Sequence, residues 1–343
     1  MKILTLIPDG YTLLNTIRQS FKKMNHEVIN LNYLSFFKVY QNRLITKTIG
    51  LPRTVKNKIK IHDIYREKIN QRYLHYVYDY KPDLVFVYND QYLSYETAKE
   101  IRKISNLAFI LGDNPFFFHN HPSKELGMYL EADYIFSCDS YLTESFRKAG
   151  QPRISEIYFG YDPTICYPKQ PTVDEKEKYS NDVVMIGRLY PDILSSWTYK
   201  RLWFYNQFRN LNIKIYGHGW HKYKDSFPEL MNKVVTPNHY FSFDEMNLIQ
   251  SCCKVYPVEA NPGIINGIHL RVFDCIGTEI LPLAEYTKDL ESVFKDVEIP
   301  IITDYSKAEE IAKYYIKNDQ KREQVKKELK QFVDENYTPQ SCC

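Results

Sequence analysis

The sequence predicts an α/β protein of two domains, each built on a parallel β-sheet that helices cover on both faces. Short apolar runs alternate with amphipathic stretches along the chain, which is the pattern of strands joined through helices. The length of 343 residues is about twice that of a typical domain of roughly 150 residues. A hydrophobic share of 44% supplies enough apolar side chains for two cores.

The strand candidates are short apolar runs that end at glycine, proline or polar residues. In the first half they are residues 3–7, 28–31, 84–88, 108–111, 134–138 and 154–158. In the second half they are residues 183–186, 213–216, 255–258, 280–283 and 299–302. The polar stretch between the two sets has two prolines, a charge run and no apolar period. We therefore expect an N-terminal domain over 1–168, a linker over 169–182 and a C-terminal domain over 183–324.

Composition excludes several classes of protein. A formal net charge of +3 lacks the basic excess of a dedicated nucleic-acid binder, so no nucleic-acid partner is expected. No run approaches the ~20 apolar residues that span a bilayer, and residues 1–6 predict a strand and not a signal peptide. The seven cysteines include no CxxC pair, which favours reduced thiols in the cytoplasm. Peripheral contact with a membrane stays open.

Candidate site residues follow the strands, because ligands of doubly wound sheets bind beyond the carboxyl ends of the strands. In the first half, Asp9 follows the first strand and Asp113 lies in the turn after residues 108–111. Each carboxylate is either a cap or turn residue or a base that faces an acceptor hydroxyl. No GxGxxG motif follows the first strand, which disfavours a dinucleotide site.

Three loops of the second half combine glycines with side chains suited to a phosphate, a sugar or a base. They contain Gly187 and Arg188; Tyr216, Gly217, His218, Gly219 and Trp220; and Gly263, Gly267, His269, Leu270, Arg271 and Asp274. Glycine allows close backbone approach, and an arginine fork matches phosphate oxygens. A short helix beginning near His269 directs its N-terminus at a diphosphate, and Asp274 can accept hydrogen bonds from ribose hydroxyls. Arg188 is alternatively an ordinary surface arginine after a turn.

Several segments together resemble one family over nearly the whole chain. They include ILGDNP, YFGYDPTICYP, NDVVMIGR, IKIYGHGW and GIHLRVFDCIGTEILPLAEYTKDLESVF. They resemble the CgeB-like family, the spore-maturation type of GT-B glycosyltransferase, which is related to the group-1 glycosyltransferases. The last segment is similar to the family pattern of glycine, a polar residue, arginine, Phe-Glu and a closing glycine. His269 stands where the family usually has asparagine, and Asp274 stands where it usually has glutamate.

The resemblance implies a GT-B fold of two Rossmann-like domains with parallel sheets that face a central cleft. The C-terminal domain would bind a nucleotide-sugar donor, by default a UDP-sugar, and the N-terminal domain an acceptor. A final helix over about 325–343 would pack back on the N-terminal domain. Transfer would need no metal or other cofactor, because the helix N-terminus, Arg188 and Arg271 meet the charge of the departing diphosphate.

Stereochemistry stays open at this stage. Related retaining transferases carry two glutamates, and Asn266 and Asp274 occupy the matching positions, so the first carboxylate is missing. An inverting enzyme needs a base in the N-terminal domain, for which Asp113 is the first candidate and Asp9 the second.

Two other functions fit the same residues. A nucleotide-sugar epimerase would need acids and bases around one bound sugar and no acceptor site. A protein that binds a nucleotide sugar without turnover would keep Arg188, Arg271 and Asp274. For the transferase, the acceptor can be a hydroxyl of a glycan, a protein or a lipid-linked sugar.

Overall fold

The computed structural model describes residues 1–7, 12–36, 61–88, 92–115, 126–189 and 195–338. The chain forms two compact units, one ending at Ile157 and the other beginning at Tyr158. Each unit is an α/β structure on one six-stranded sheet, and neighbouring strands in both sheets run parallel. The predicted α/β class with two parallel sheets is confirmed.

The sheet of the first unit has the strand order β2-β1-β3-β4-β5-β6. Its strands are β1 Lys2–Leu6, β2 Glu27–Asn30, β3 Leu84–Tyr88, β4 Asn106–Leu111, β5 Tyr134–Ser137 and β6 Ile154–Glu156. The described helices are α1 Thr12–Lys23, α2 Ile61–Tyr80, α3 Tyr95–Arg102, α4 Gly127–Glu131 and α5 Ser140–Lys148, with a 3-10 turn at Tyr33–Phe36. The direction in which strands are added reverses between β1 and β3, which makes that pair the switch point of this sheet.

Burial explains why the strands are continuous apolar runs. Val85, Phe86 and Val87 are consecutive residues of β3, and all three are buried. Successive side chains of a strand point to opposite faces, so both faces of this sheet are covered. Helix α3 begins where the Ser94 hydroxyl accepts the backbone N–H of Thr97, at 3.2 Å.

The sheet of the second unit has the strand order β12-β11-β10-β7-β8-β9, with its switch point between β10 and β7. Its strands are β7 Asn181–Ile186, β8 Ile213–Tyr216, β9 Val234–Val235, β10 Cys253–Val258, β11 Leu281–Glu285 and β12 Ile301–Ile302. Its α-helices are α6 Val173–Tyr179, α7 Ser195–Asn206, α8 Pro228–Met231, α9 Phe243–Ser251, α10 Arg271–Gly277, α11 Lys288–Val293, α12 Ala308–Lys317 and α13 Asp319–Asn336. The 3-10 turns are Trp220–Tyr223 and Tyr305–Lys307.

The division between the units comes earlier than the sequence predicted. Tyr161 and Cys166, placed by prediction in the N-terminal domain, are buried in the core of the second unit. Within the predicted linker 169–182, Thr172 and Glu175 form a reciprocal capping box that starts helix α6. A polar composition therefore marked a short surface helix of the second unit.

The final helix, predicted over about 325–343, is described as helix α13 over Asp319–Asn336. Its predicted packing on the N-terminal domain stays a prediction. Helix α13 buries Val325, Leu329 and Val333, and these three side chains belong to the core of the second unit. Their spacing of four residues forms one apolar stripe on an otherwise charged helix. Within the described parts of the chain, no helix is both long enough and apolar enough to cross a membrane.

Candidate functional site

The predicted site residues of the second unit lie on three loops at the carboxyl edge of its sheet. Gly187 and Arg188 follow β7, residues 217–220 follow β8, and residues 259–270 connect β10 to α10. These three strands are neighbours in the order β10-β7-β8. The loops therefore meet at the switch point, where open α/β sheets bind their ligands.

The loops after β7 and β8 are bonded to each other through their backbones. The Gly187 N–H donates to the Tyr216 carbonyl at 2.9 Å, and the Leu189 N–H donates to the His218 carbonyl at 3.0 Å. A Cβ at Gly217 would overlap the Gly187 carbonyl oxygen, so this close approach requires glycine. Gly219 has a φ of 85°, a left-handed conformation that glycine adopts without strain. The glycines thus serve to join the two loops.

Two predicted donor-binding residues are corrected by their burial. Trp220 is fully buried, so no face of its ring is open to a ligand, and its Nε1–H donates to the Gly187 carbonyl at 2.8 Å. Tyr216 is also buried, and its ring packs edge-on against Tyr179 and Phe241. Both aromatic residues support the loops from within the core.

His218 is partly exposed in the loop after β8. Its ring lies 5.4 Å from the ring of Tyr240, whose exposed fraction is 76%. The sequence did not indicate Tyr240, because it lies in a polar loop after the two-residue strand β9.

A buried ion pair connects the loops after β7 and β10. Glu259 is only 3% exposed, and its Oε1 accepts the Arg201 Nε–H at 2.6 Å and also contacts Arg201 Nη2. The Nη1–H of Arg201 donates to the Arg188 carbonyl at 2.8 Å. The second carboxylate oxygen of Glu259 accepts the Tyr205 hydroxyl at 2.8 Å. One guanidinium therefore fixes the backbone of Arg188 relative to the end of β10.

The charge of Glu259 is maintained by its surroundings. Burial alone would raise its pKa, but the positive charges of Arg201 and Arg271 outweigh burial and lower the pKa of Glu259 to about 2. The carboxylate is consequently ionised at every physiological pH.

Arg271, the first residue of α10, brings a positive charge to this site. Its guanidinium lies 5.7 Å from the centre of the Tyr256 ring. Its Nη1 is buried and finds no hydrogen-bond acceptor among the described residues. The same Nη1 lies 3.7 Å from the point that a Cβ of Gly187 would occupy, directly beside the loop after β7. An anion at this position would satisfy a donor that is otherwise costly to bury.

His269 prepares the start of helix α10. Its Nδ1 accepts the backbone N–H of Arg271 at 3.1 Å. Burial, together with the charge of Arg271, lowers the pKa of His269 to about 3. The imidazole is therefore neutral at physiological pH and adds no charge to the site.

Three more predicted residues lie in the loop between β10 and α10. Leu270 is the residue that precedes α10, and Gly263 and Gly267 are buried. A Cβ at Gly263 would press on the ring of Trp197, which lies over this loop.

Asp274 lies one turn into α10 and contacts the chain near the start of the second unit. The Cys166 thiol donates to its Oδ1 at 3.4 Å. Burial raises the pKa of Asp274 from 3.8 to about 6, although Cys166 and Arg271 partly oppose that shift. The carboxylate is thus held in a setting that favours its neutral form more than water does.

We expect Asp274→Asn to make the chain more stable than wild type at pH 7. A pKa raised in the folded state means that Asp274 favours folding when protonated, and this contribution is lost as the pH rises from about 4 through about 6. The shift corresponds to about 3 kcal/mol, which the uncharged amide avoids. Urea unfolding between pH 4 and pH 8 should show the variant and wild type converging at low pH. Equal stability at pH 7, or the same gain in the exposed control Asp225→Asn, would contradict the shift.

Of the two carboxylates predicted in the first unit, Asp113 lies within the described residues and Asp9 does not. Asp113 is half-buried in the turn that follows β4. This turn is backed by the Tyr88 ring, which a Cβ at Gly112 would strike, and by the Cys138 thiol, 3.7 Å from the Gly112 carbonyl.

Sequence reasoning missed the ion pair at the centre of the site. Glu259 directly follows an apolar strand, which was a usable signal. Arg201 carried no local signal, because its partner is 58 residues away and it lies within a helix.

The comparisons with known proteins agree with this architecture. A family model described as glycosyl transferase-like matches residues 200–342. HepE of Anabaena, in complex with UDP-glucose, is similar with a TM-score of 0.65 at 13% identity, over 100% of this chain and 97% of HepE. Sucrose-phosphate synthase of Thermosynechococcus elongatus is similar with a TM-score of 0.69 at 9% identity, over 100% of this chain and 96% of the synthase. A glycosyltransferase from Rickettsia africae is similar with a TM-score of 0.63 at 12% identity, over 98% of this chain and 94% of the glycosyltransferase.

No curated protein sequence matches the chain significantly. The likeness to solved structures extends over the whole chain and defines the fold. The chain has the GT-B fold, with two Rossmann-like α/β units on parallel sheets, as the sequence predicted.

Proposed function

We propose that the chain is a glycosyltransferase of the hexosyl type that takes its sugar from a nucleoside-diphosphate sugar, first of all a UDP-sugar. The observation that carries the proposal is the buried Nη1 of Arg271, a positive donor at the switch point of the second sheet for which the described residues supply no acceptor. The glycosyl transferase-like match over residues 200–342 includes Arg271 and the loops after β8 and β10, but not Gly187 and Arg188. The similar HepE structure holds UDP-glucose, which supports uracil as the base.

The Arg271 guanidinium would meet the charge of the diphosphate as it leaves. Charge that develops on a leaving group is stabilised most by donors that are already in place, because they need no reorganisation. Glu259 and Arg201 form a pair with no net charge, and His269 is neutral, so these three residues leave the positive charge of Arg271 available for the diphosphate. Arg188, whose backbone that pair holds, and the start of α10 would add to it.

Asp274 would bind the ribose, as the glutamate of the CgeB-like pattern is expected to do. Its shorter side chain and its contact with Cys166 fix the reach of the carboxylate. An acceptor hydroxyl from a glycan, a protein or a lipid-linked sugar would be deprotonated in the first unit, by Asp113 or, second, by Asp9. CgeB-like membership is part of this proposal.

Arg271→Gln tests the diphosphate site directly. We expect the variant to lose about 1.5 to 3 kcal/mol of UDP-binding free energy, the usual range for a hydrogen bond to a charged group. Isothermal titration calorimetry with the full chain would show a dissociation constant about 10 to 150 times higher. The matched control is Arg322→Gln: Arg322 is buried in the same unit, but it donates to the Tyr315 carbonyl and pairs with Asp319.

A lower stability of Arg322→Gln with unchanged UDP affinity would confirm that the loss in Arg271→Gln is specific. Equal UDP affinity in Arg271→Gln and wild type would rule out the proposed diphosphate site. A thermal-shift panel of UDP, dTDP, GDP, ADP and NAD, with and without EDTA, tests the base and the proposed independence from metal. Stabilisation by NAD alone would reject the transferase.

A further inference from the structure

Strands β7 and β10 separate before they end. Their pairing extends from Cys253 opposite Asn181 to Val255 opposite Val183. Beyond this point β7 continues to pair with β8, as far as Ile186, and β10 continues to pair with β11, as far as Val258. Each strand therefore stays with its outer neighbour, and a gap opens at the switch point.

A proline marks the place where the strands separate. Pro257 lies in β10, which has neighbours on both sides, whereas proline normally occupies sheet edges because it has no N–H to donate. The next position of the register would set Pro257 opposite Met185. The ladder between β7 and β10 is thus interrupted at a residue that cannot complete it.

Tyrosine hydroxyls take over the bonds in the gap. The Tyr256 hydroxyl accepts the Ile186 N–H at 2.8 Å and donates to the Ile186 carbonyl at 3.0 Å. The single proton of the Tyr205 hydroxyl is shared between the Pro257 carbonyl at 2.7 Å and the Glu259 carboxylate at 2.8 Å. Burial raises the pKa of Tyr256 to about 12, so its hydroxyl keeps the proton that it donates.

Tyr256 also contacts the cation of the site. Its ring carries the Arg271 guanidinium at 5.7 Å, and Ile186, which its hydroxyl holds, precedes Gly187. Gly187 is the residue beside the buried Nη1 of Arg271. The Tyr256 side chain, 1% exposed, therefore contacts both the end of β7 and Arg271, and the anion would bind between these two parts.

We propose that Tyr256 is a positioning residue for the donor diphosphate: its hydroxyl holds the end of β7 apart from β10, and its ring supports Arg271. This inference rests on the proposed function. Tyr256 itself has no free surface with which to touch the ligand. Its effect is to set the distance between the Gly187 loop and the guanidinium.

Tyr256→Phe tests the role because it keeps the ring and removes only the hydroxyl. We expect the dissociation constant for UDP to rise about tenfold, since the Ile186 peptide groups lose their partner and the loop shifts. The affinity for uridine, which has no phosphate, should stay within about twofold of wild type. Calorimetry with the full chain measures both ligands. Tyr315→Phe is the matched control, a buried tyrosine of the same unit whose hydroxyl bonds Glu298.

Four outcomes would overturn the inference. Unchanged UDP affinity would show that the hydroxyl does not set the site. A parallel loss for UDP and uridine, an equal effect in Tyr315→Phe, or failure of Tyr256→Phe to fold would each show that Tyr256 serves the core in general. The proposed function is judged separately, on wild type: if wild type binds no nucleoside diphosphate, that function fails, and this inference fails with it.

Discussion

Asp113→Asn should reduce transfer about 10²- to 10⁴-fold, the range in which a general base contributes, while UDP affinity stays unchanged. Asparagine has the shape of aspartate but cannot accept a proton. Asp113 lies in the first unit, after β4, in a turn supported by Tyr88 and Cys138. It is not among the residues proposed to bind the donor. The measurement is transfer of sugar from the donor identified by the nucleotide panel, with kcat and UDP affinity determined for each variant.

Two further variants make this test decisive. Asp79→Asn changes an exposed carboxylate of the same unit and should leave turnover unchanged. Asp9→Asn tests the second candidate, which the sequence offers as an alternative base. Full activity of Asp113→Asn together with a large loss in Asp9→Asn would transfer the role of base to Asp9. Full activity in both would contradict a base on these loops and favour a retaining mechanism.

The strands were predictable because each buried strand is a run of apolar residues. In β7, Val183, Val184 and Met185 are all buried. A strand that is buried on both faces has apolar residues at consecutive positions, and the sequence shows this run. Strand β9 has only Val234 and Val235, at the edge of the sheet, and two residues make no readable pattern. The early start of the second unit was hidden because Tyr161 enters its core through tertiary contacts.

The site was predictable only in part, for a similar reason. The rule that ligands bind after the strands indicated Gly187 and Arg271, and both lie at the switch point of the second sheet; their role in binding stays a prediction. It cannot tell which way a side chain turns, so Trp220 was assigned to a ligand although its ring is buried in the core. The pair of Arg201 and Glu259 depends on residues that only the fold brings together.

Glu259→Gln should destabilise the chain by about 3 to 5 kcal/mol, because removing one partner of a buried ion pair leaves the other charge unpaired. Glu259 is 3% exposed, and the Arg201 side chain, which is 20% exposed, would lose its paired carboxylate. The amide can still accept the Tyr205 hydroxyl, so the lost charge is the main change. Urea unfolding near pH 7 measures the effect. The control Glu229→Gln removes an exposed partner of Arg209 in the same unit and should cost less than about 1 kcal/mol.

The pH dependence of the unfolding free energy provides an independent check on the Glu259 prediction, because the direction of the change with pH is fixed. The pKa of Glu259 is lowered in the folded state, against the effect of burial, by Arg201 and Arg271. Its contribution to stability is therefore present above about pH 4.5 and lost as the pH falls toward about 2. The gap between wild type and Glu259→Gln should narrow over this range. A constant gap, or a change below about 1 kcal/mol at pH 7, would contradict the buried pair.

A double variant separates stability from function at the same position. Glu259→Leu with Arg201→Met removes both charges and fills a similar volume, and such replacements are often neutral or stabilising. We expect most of the stability lost in Glu259→Gln to return. We expect the UDP affinity of the double variant to be lower than that of wild type. Arg201 no longer holds the Arg188 carbonyl, so the loop after β7 loses its link to β10. Recovery of both stability and affinity would mean that the ion pair serves folding alone.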